Sequence, residues 1–478
     1  MSKYKQLAVN SLLFFINAVA TKLITFVLVP LYTAFMSAGE YGLTDMSLTV
    51  INLATPLFTL SIAEASVRFI VGDRERAAEY IFISMSITLL SVLIVGMMTP
   101  FLDLGVFGGL GNYKGLFIVA YASSAFMNLC GEVARGMGEV RLIPICAGIS
   151  SLGTLASAVL LIGTLGAGIV GYFISVSFGP LLAVIIYLSF GGLGRLASIG
   201  AARLFRADSR QMRSIMLPML KYAVPLIPNN LFWWLSTGIN RFYITGMLGI
   251  AVSGMFAAAS KIPNLLNTVY SVFQQAWQLS AFQESEKEGL GAFFTNVFRM
   301  LQAGLTILCT ALCLFAPDIA GILLRGETYA AWPMIGLLLL ANLFNVFASF
   351  YGTVYSTTMH TGFIMKTTAF GAIACVVVTP ILIPILGING ACVASALGQL
   401  LVFVMRIIDA RKYIAISVGW SYLIPSIVLL VVQAVATSML ISGWRAISVA
   451  CTACILAIQL RHMYSRLRPS QRNRAASA

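Results

Sequence analysis

The chain has 478 residues, 59% of them hydrophobic and 10% charged, with a mean hydropathy of +0.93. Soluble domains carry roughly a quarter charged residues, so this balance excludes an ordinary water-soluble enzyme or binding module and points to a bilayer protein. The net charge of +14 comes from 30 basic against 16 acidic residues, and its distribution along the chain makes it a topology signal rather than a nucleic-acid footprint.

Apolar stretches close to the ~20 residues that cross a hydrocarbon core recur at 9–35, 43–69, 80–101, 115–133, 142–164, 168–190, 219–247, 250–282, 293–316, 332–356, 363–386, 389–407, 418–440 and 445–463. They predict an all-α polytopic protein of about fourteen spans, because barrel strands would be ~10 residues of alternating pattern. The first stretch is long, contains Lys22 and lacks a small-x-small site, so a retained span is expected rather than a cleaved signal peptide. Loops after even-numbered spans hold Arg74 and Arg76, Arg135 and Arg141, Arg195 to Arg213, Lys287, Lys366, and Arg411 with Lys412; those after odd-numbered spans hold only Lys114, Arg325 and Arg445. With 24 of the 30 basic residues on one side, both termini are expected in the cytoplasm, in a bacterial inner membrane.

The longest polar segment, 192–217, carries Arg195, Arg203, Arg206, Arg210 and Arg213 against Asp208 alone. It is expected to lie on anionic lipid as an amphipathic linker, dividing a six-helix lobe at 1–191 from a second at 218–413. Two further helices at 414–465 and a basic tail at 466–478 complete the chain. Gly168, Gly171 and Gly179 recur as Gly387, Gly390 and Gly398 at an offset of 219, and Asn17, Thr33 and Gly42 as Asn229, Thr245 and Gly254 at 212. Parallel repeats of this kind predict two lobes related by a pseudo-two-fold axis and facing a central cavity.

Charges inside spans cost about 3 kcal/mol each on insertion scales, so they turn to a cavity or a partner. Lys22, Arg241 and Lys261 stand out, and three cations without acids at matching depth point to an anionic ligand. Asp45 lies nearer the end of its span; Glu64 and Arg68, four apart, suggest a helix-end ion pair. Polar residues line single helix faces: Lys261, Asn264, Thr268, Ser271, Gln275 and Gln278; Asn230, Trp233, Thr237 and Arg241; Asp45, Asn52, Thr55 and Thr59. The predicted substrate-binding set is Lys22, Asp45, Asn52, Asn229, Asn230, Arg241, Lys261, Asn264 and Gln275. The structural alternatives are snorkelling, an internal pair such as Lys22 with Asp45, and interhelical glue. Pro30, Pro56, Pro225, Pro228 and Pro263 fall in the same helices and predict kinks.

No Gly-x-x-x-x-Gly-Lys-Ser/Thr loop occurs, so no nucleotide phosphate is cradled. His360 and His462 stand apart and the eight cysteines lie in apolar stretches, so neither metal nor cofactor nor catalytic residue is expected.

Pro30-Leu-Tyr-Thr33, Gly39-Glu40-Tyr41-Gly42 and the stretch from Pro56 to Ser66-Val-Arg68-Phe69 resemble the opening of Wzx-type polysaccharide flippases. So do Tyr222-Ala-Val-Pro225-Leu-Ile-Pro228-Asn229, Asn240-Arg241, Leu248-Gly249, the block from Gly254 through Lys261-Ile-Pro263, and Phe273-Gln-Gln-Ala-Trp277. The resemblance implies a non-enzymatic flippase of the multidrug/oligosaccharidyl-lipid/polysaccharide exporter superfamily, carrying polyprenyl-pyrophosphate-linked oligosaccharide from the inner to the outer leaflet by alternating access. It implies basic residues in the cavity, for which Lys22, Arg241 and Lys261 are the matching positions. Its partners would be the lipid-linked oligosaccharide, membrane lipids, a coupling ion (proton or sodium) and other polysaccharide-assembly proteins, with no nucleic acid. Two rivals stay open: a multidrug exporter of the same fold, and a membrane polymerase or ligase working through Asp318 or Glu327.

Overall fold

The computed structural model describes residues 26–206, 209–283, 289–358, 360 and 362–467. Among these every regular element is helical and no strand occurs. Ten helices are long and apolar enough to cross a membrane, eleven with one bent pair, and each coincides with an expected span. Of the first span only α1 (Phe26–Phe35) is described. The two remaining spans, 219–247 and 250–282, are interrupted at prolines and are too polar to pass as single apolar rods.

The helices gather into two compact units, one comprising residues to Ala257 with Leu324–Thr328, the other the remainder. In the first unit α2 (Ala38–Phe58) starts at a capping box: Ser37 Oγ accepts from the Glu40 amide at 3.2 Å, and the Glu40 carboxylate accepts from the Ser37 amide at 3.0 Å. Glu327 adds a second carboxylate, accepting from the Ala38 amide at 3.0 Å, where the helix dipole favours negative charge. The expected span 43–69 is bent by 49° between α2 and α3 (Ile62–Gly72), close to Pro56, where the sequence predicts a kink. Pro56 frees a carbonyl near the end of α2, and Leu60 and Ser61 take φ of 55° and 52°, a left-handed conformation costly for residues with a Cβ.

Four apolar helices follow: α4 (Ala77–Met98), α5 (Lys114–Met137), α6 (Leu142–Ala158) and α7 (Gly168–Ser189). The basic linker forms α8 (Leu193–Arg206) and α9 (Ser209–Ala223). Leu193, Gly200 and Leu204 make the buried face of α8, while Arg195, Arg203 and Arg206 are exposed. Gly200 meets the Ala78 carbonyl so closely that any Cβ would stand 2.1 Å from it, and Arg203 pairs with Glu79 at 3.2 Å. The linker is therefore fastened to the first turn of α4. A 3-10 turn at Val224–Leu226 then leads into α10 (Ile227–Leu248), followed by α11 (Ile250–Lys261).

The glycines matched at an offset of 212 meet each other. A Cβ on Gly42 would lie 2.2 Å from the Ile250 carbonyl oxygen, and one on Gly254 would lie 1.9 Å from that of Ala38. Ala38 and Ile250 are themselves separated by 212, so the contact is reciprocal, as across an isologous interface.

The second unit holds α12 (Asn264–Gln283), α13 (Leu290–Leu314), α14 (Ala316–Leu323), α15 (Ile335–Thr357), α16 (Gly362–Leu386), α17 (Ile388–Ala410), α18 (Trp420–Ser438) and α19 (Trp444–Leu467). Its centre is α15, packed on Trp277, Phe294, Phe298 and Phe403 through Phe347, Phe350 and Tyr351, with Trp277 and Phe350 stacked at 5.0 Å. The glycines matched at an offset of 219 occupy like positions here and in the first unit. Gly168 and Gly387 have φ of 48° and 58° just before α7 and α17 become regular. Gly179 lies against the Ser150 carbonyl of α6, and Gly398 against Cys375 of α16.

The last two helices are tied to α13 by one polar knot. Thr310 Oγ1 donates to Gln433 Oε1 at 2.7 Å, Gln433 Nε2 donates to the Thr310 carbonyl at 3.1 Å, and the Thr452 hydroxyl lies 2.9 Å from that of Thr310. Interhelical hydrogen bonds in membranes contribute modestly, but a buried partner left unpaired costs more. Gln433→Leu is expected to lower stability by about 1–2 kcal/mol, seen as an earlier thermal unfolding of the detergent-solubilised protein. An unchanged midpoint would show that the carboxamide has no part in docking α18 and α19.

Candidate functional site

In the first unit α10 runs alongside α2 and α3 with three polar rungs. Asn230 Nδ2 donates to Ser61 Oγ at 3.2 Å and lies against the Glu64 carboxylate. Four residues on, Trp234 Nε1 donates to the Thr49 carbonyl at 2.9 Å. Seven further, Arg241 Nε donates to Asp45 Oδ2. The spacing of 230, 234 and 241 is that of one helix face; of the stripe read from the sequence, Asn230 and Arg241 lie on it, whereas Trp233 and Thr237 are exposed and Trp234 makes the middle rung.

Arg241 is therefore not a cation without an acid at its depth, as the sequence suggested. Asp45, 196 residues away, is 6% exposed and forms its ion pair. The guanidinium also donates to the Thr237 carbonyl at 2.8 Å and sits 5.8 Å from the centre of the Phe256 ring. The expected Glu64–Arg68 pair is absent; Glu64 faces Asn230 instead, and both ionic residues are exposed. Asn52 and Asn229 are exposed on α2 and α10, apart from the three rungs.

In the second unit Lys261 is the last residue of α11. The helix expected to continue through it stops at Ile262–Pro263, because Pro263 has no amide proton to donate. The chain closes a tighter turn there, with Leu265 and Leu266 amides donating to the Ile262 and Pro263 carbonyls, and α12 starts at Asn264. Lys261 is thus a partly exposed cation at a helix C-terminus, where the dipole favours it. Asn264 is exposed beside this break. Lys22 and the side chain of Gln275 lie outside the described residues.

Sequence reading missed a cluster of amides in this unit. Asn267 Nδ2 donates to Asn342 Oδ1 and, at 3.4 Å, to Asn264 Oδ1; Asn345 Nδ2 donates to Asn267 Oδ1 at 3.3 Å. The signal for Asn342 and Asn345 was present as two asparagines three apart in an otherwise apolar span. Asn267 lay one position beside the stripe drawn on α12. Among the described residues no group of His, Cys, Asp and Glu could hold a metal ion.

The arrangement offers hydrogen bonds and charge of the kind that serve recognition. No curated protein matches the sequence. Among solved structures, a lipid II flippase, MurJ, in an inward closed conformation superposes with a TM-score of 0.68 at 12% identity, over 97% of this chain and 100% of that one. An inward-facing multidrug resistance transporter of the MATE family, in the MOP superfamily, gives 0.66 at 15% identity, over 82% and 94%. A MOP superfamily transporter from Pyrococcus furiosus, described as having a binding pocket of reversed polarity, gives 0.54 at 14% identity, over 84% and 95%. At such identities the likeness is one of fold. The family model described as polysaccharide biosynthesis protein matches residues 7–278, more than half of the sequence. The motifs first noticed from Pro30 to Trp277 lie inside that match, and the chain belongs to the polysaccharide biosynthesis protein family, with the fold of the MOP superfamily.

Proposed function

We propose that the protein is a flippase that moves polyprenyl-pyrophosphate-linked oligosaccharide repeat units from the inner to the outer leaflet for surface polysaccharide synthesis. The observation that carries this reading is the family match over residues 7–278. The fold shared with a lipid II flippase supports it. The work is alternating access: a cavity takes the pyrophosphate-sugar head while the polyprenyl tail stays in lipid. The protein would sit in a bacterial inner membrane with both ends in the cytoplasm, as the one-sided basic loops indicate. Two six-helix repeats would supply the moving parts, and the reciprocal glycine contact is in keeping with them.

The cationic character of the cavity falls to Lys22, Lys261 and Arg241, the last oriented by Asp45, with Asn52, Asn229, Asn230, Asn264 and Gln275 as its polar lining. A proton or sodium gradient, the membrane potential or consumption of the product supplies the drive. Lys261→Ala and Lys22→Ala are each expected to cut surface polysaccharide export at least tenfold at normal protein level, with Lys261→Arg restoring most of it. Wild-type export from both alanine variants would remove the cationic-cavity claim. A resistance phenotype in a pump-deleted strain, with export untouched by deletion of the gene, would instead assign the multidrug role.

A further inference from the structure

Along α15 every residue from Ile335 to Tyr355 is buried except Asn342, Asn345, Ser349 and Gly352, and Ser356 continues the line. These positions are spaced three and four apart, so they form one strip along the helix. From Asn342 to Ser356 it is about 21 Å long at 1.5 Å per residue. The best-buried of the described apolar spans is thus open along one line, and that line carries amides, hydroxyls and a glycine. A strip open to acyl chains would be apolar, since polar groups facing lipid lose their hydrogen bonds.

The amides of the strip are only partly spent. Asn342 donates one N–H to the Leu338 carbonyl and accepts from Asn267; Asn345 donates one N–H to Asn267. Among the described residues, Asn342 keeps one N–H without a partner, and Asn345 one N–H and its carbonyl oxygen. Donor and acceptor side by side, with no formal charge, match hydroxyl groups, each of which both gives and receives a hydrogen bond.

The strip also reaches a buried charge. Arg406 is 7% exposed and donates to Thr367 Oγ1 at 3.0 Å, Thr368 Oγ1 at 3.2 Å and the Ala348 carbonyl at 2.8 Å. Among the described residues it has no carboxylate partner, and two of its five N–H groups remain unspent. A Cβ at Gly352 would stand 3.4 Å from its Nη1, so the missing side chain of Gly352 is a notch between strip and guanidinium. The Tyr270 hydroxyl, on a residue 3% exposed, lies within electrostatic range of the same guanidinium and has no hydrogen-bond partner among the described residues.

We propose that this strip, with Asn267 beside it and Arg406 behind the Gly352 notch, binds the oligosaccharide of the lipid-linked substrate. The amides and Ser349 take sugar hydroxyls, and the guanidinium takes an acidic substituent of the saccharide. The proposal rests on the flippase reading above. The strip's length suits several sugar units rather than one, and its amides and hydroxyls, uncharged themselves, set it apart from the pyrophosphate-binding cations.

The full chain in nanodiscs is titrated with two probes: polyprenyl pyrophosphate bearing the saccharide extracted from the host membrane, and bare polyprenyl pyrophosphate. Wild-type protein is expected to bind the glycosylated carrier at least tenfold more tightly. Asn342→Leu with Asn345→Leu should erase that preference and leave the bare carrier unaffected. Gly352→Ala should weaken glycosylated-carrier binding severalfold without lowering thermal stability, because the methyl group fits at van der Waals distance and alanine favours a helix. Retention of the tenfold preference by both variants would overturn the proposal. A Gly352→Ala protein that loses affinity for the bare carrier would place pyrophosphate at Arg406 and overturn the assignment there. Wild-type protein binding neither probe would sink the flippase reading itself; equal binding of both would sink the strip alone.

Discussion

Asp45→Ala is expected to destabilise the protein by about 3 kcal/mol or more, the usual cost of removing one partner from a buried ion pair. The loss exceeds that of a surface pair because both groups are held away from water, with side-chain exposures of 8% for Asp45 and 17% for Arg241. Once the carboxylate is gone, the guanidinium keeps, among the described residues, the Thr237 carbonyl and the Phe256 ring. Neither neutralises a positive charge inside a membrane span. Arg241→Ala takes the guanidinium away from a carboxylate that is 6% exposed. The double substitution Asp45→Ala with Arg241→Ala removes both charges and is expected to recover most of the stability, so the two single effects should be strongly non-additive. Thermal unfolding of the four proteins in one detergent gives the coupling directly. Export distinguishes scaffold from site: the double variant is expected to fold yet export less than a tenth of the wild-type polysaccharide, because Arg241 also serves the head group. Full export from it would reduce the pair to a structural role and leave Lys22 and Lys261 as the cationic claim.

This pair shows where sequence reading reached its limit. Helical periodicity placed Asp45 and Arg241 each on the polar face of its own helix, and the structure keeps both there. Periodicity says nothing of which faces meet, so a partner 196 residues away was invisible and Arg241 was taken for an uncompensated cation. The opposite error occurred at Glu64 and Arg68, where i,i+4 spacing implied a pair, but the carboxylate turns to Asn230 on another helix. Apolar runs located eleven spans because hydrocarbon thickness fixes their length. They failed at 219–247 and 250–282, where Pro225 and Pro263 divide the chain into shorter helices whose polar content conflicts with hydropathy. Arg406 was counted as one more basic residue at a cytoplasmic helix end. Only its position beneath α15, between Ala348 and Gly352, distinguishes it from the other arginines. Glycine was the most informative residue type: at Gly42, Gly179, Gly254, Gly390 and Gly398, five of the matched positions, a Cβ would strike a neighbouring helix.

Two of those glycines carry the second large effect. Gly254→Ala is expected to abolish export, and Gly42→Ala to do the same, while Gly39→Ala on the same helix as Gly42 stays near wild type. At Gly254 the added methyl would stand 1.9 Å from the Ala38 carbonyl oxygen and 2.7 Å from the Gly42 nitrogen; at Gly42 it would stand 2.2 Å from the Ile250 oxygen. These are backbone atoms within helices, so no side-chain rotation relieves the overlap and α2 must part from α11. At Gly39 the nearest atom would be 3.9 Å away, in a side chain. Forced overpacking costs up to about 3 kcal/mol when neighbours can shift, and more is expected here because the capping box at Ser37 and the Glu327 contact hold α2 in place. The separation would also pull Asp45 from Arg241, one turn further along α2, so Gly42→Ala should reproduce much of the Asp45→Ala phenotype. Combined with Asp45→Ala it should add little further destabilisation, since both act on one contact. Unfolding midpoints for Gly39→Ala, Gly42→Ala, Gly254→Ala and the Gly42→Ala, Asp45→Ala double variant test this chain of dependence. Normal stability and export from Gly254→Ala would mean that the two backbones do not approach so closely in the membrane. The reciprocal glycine contact would then lose its place in the working structure.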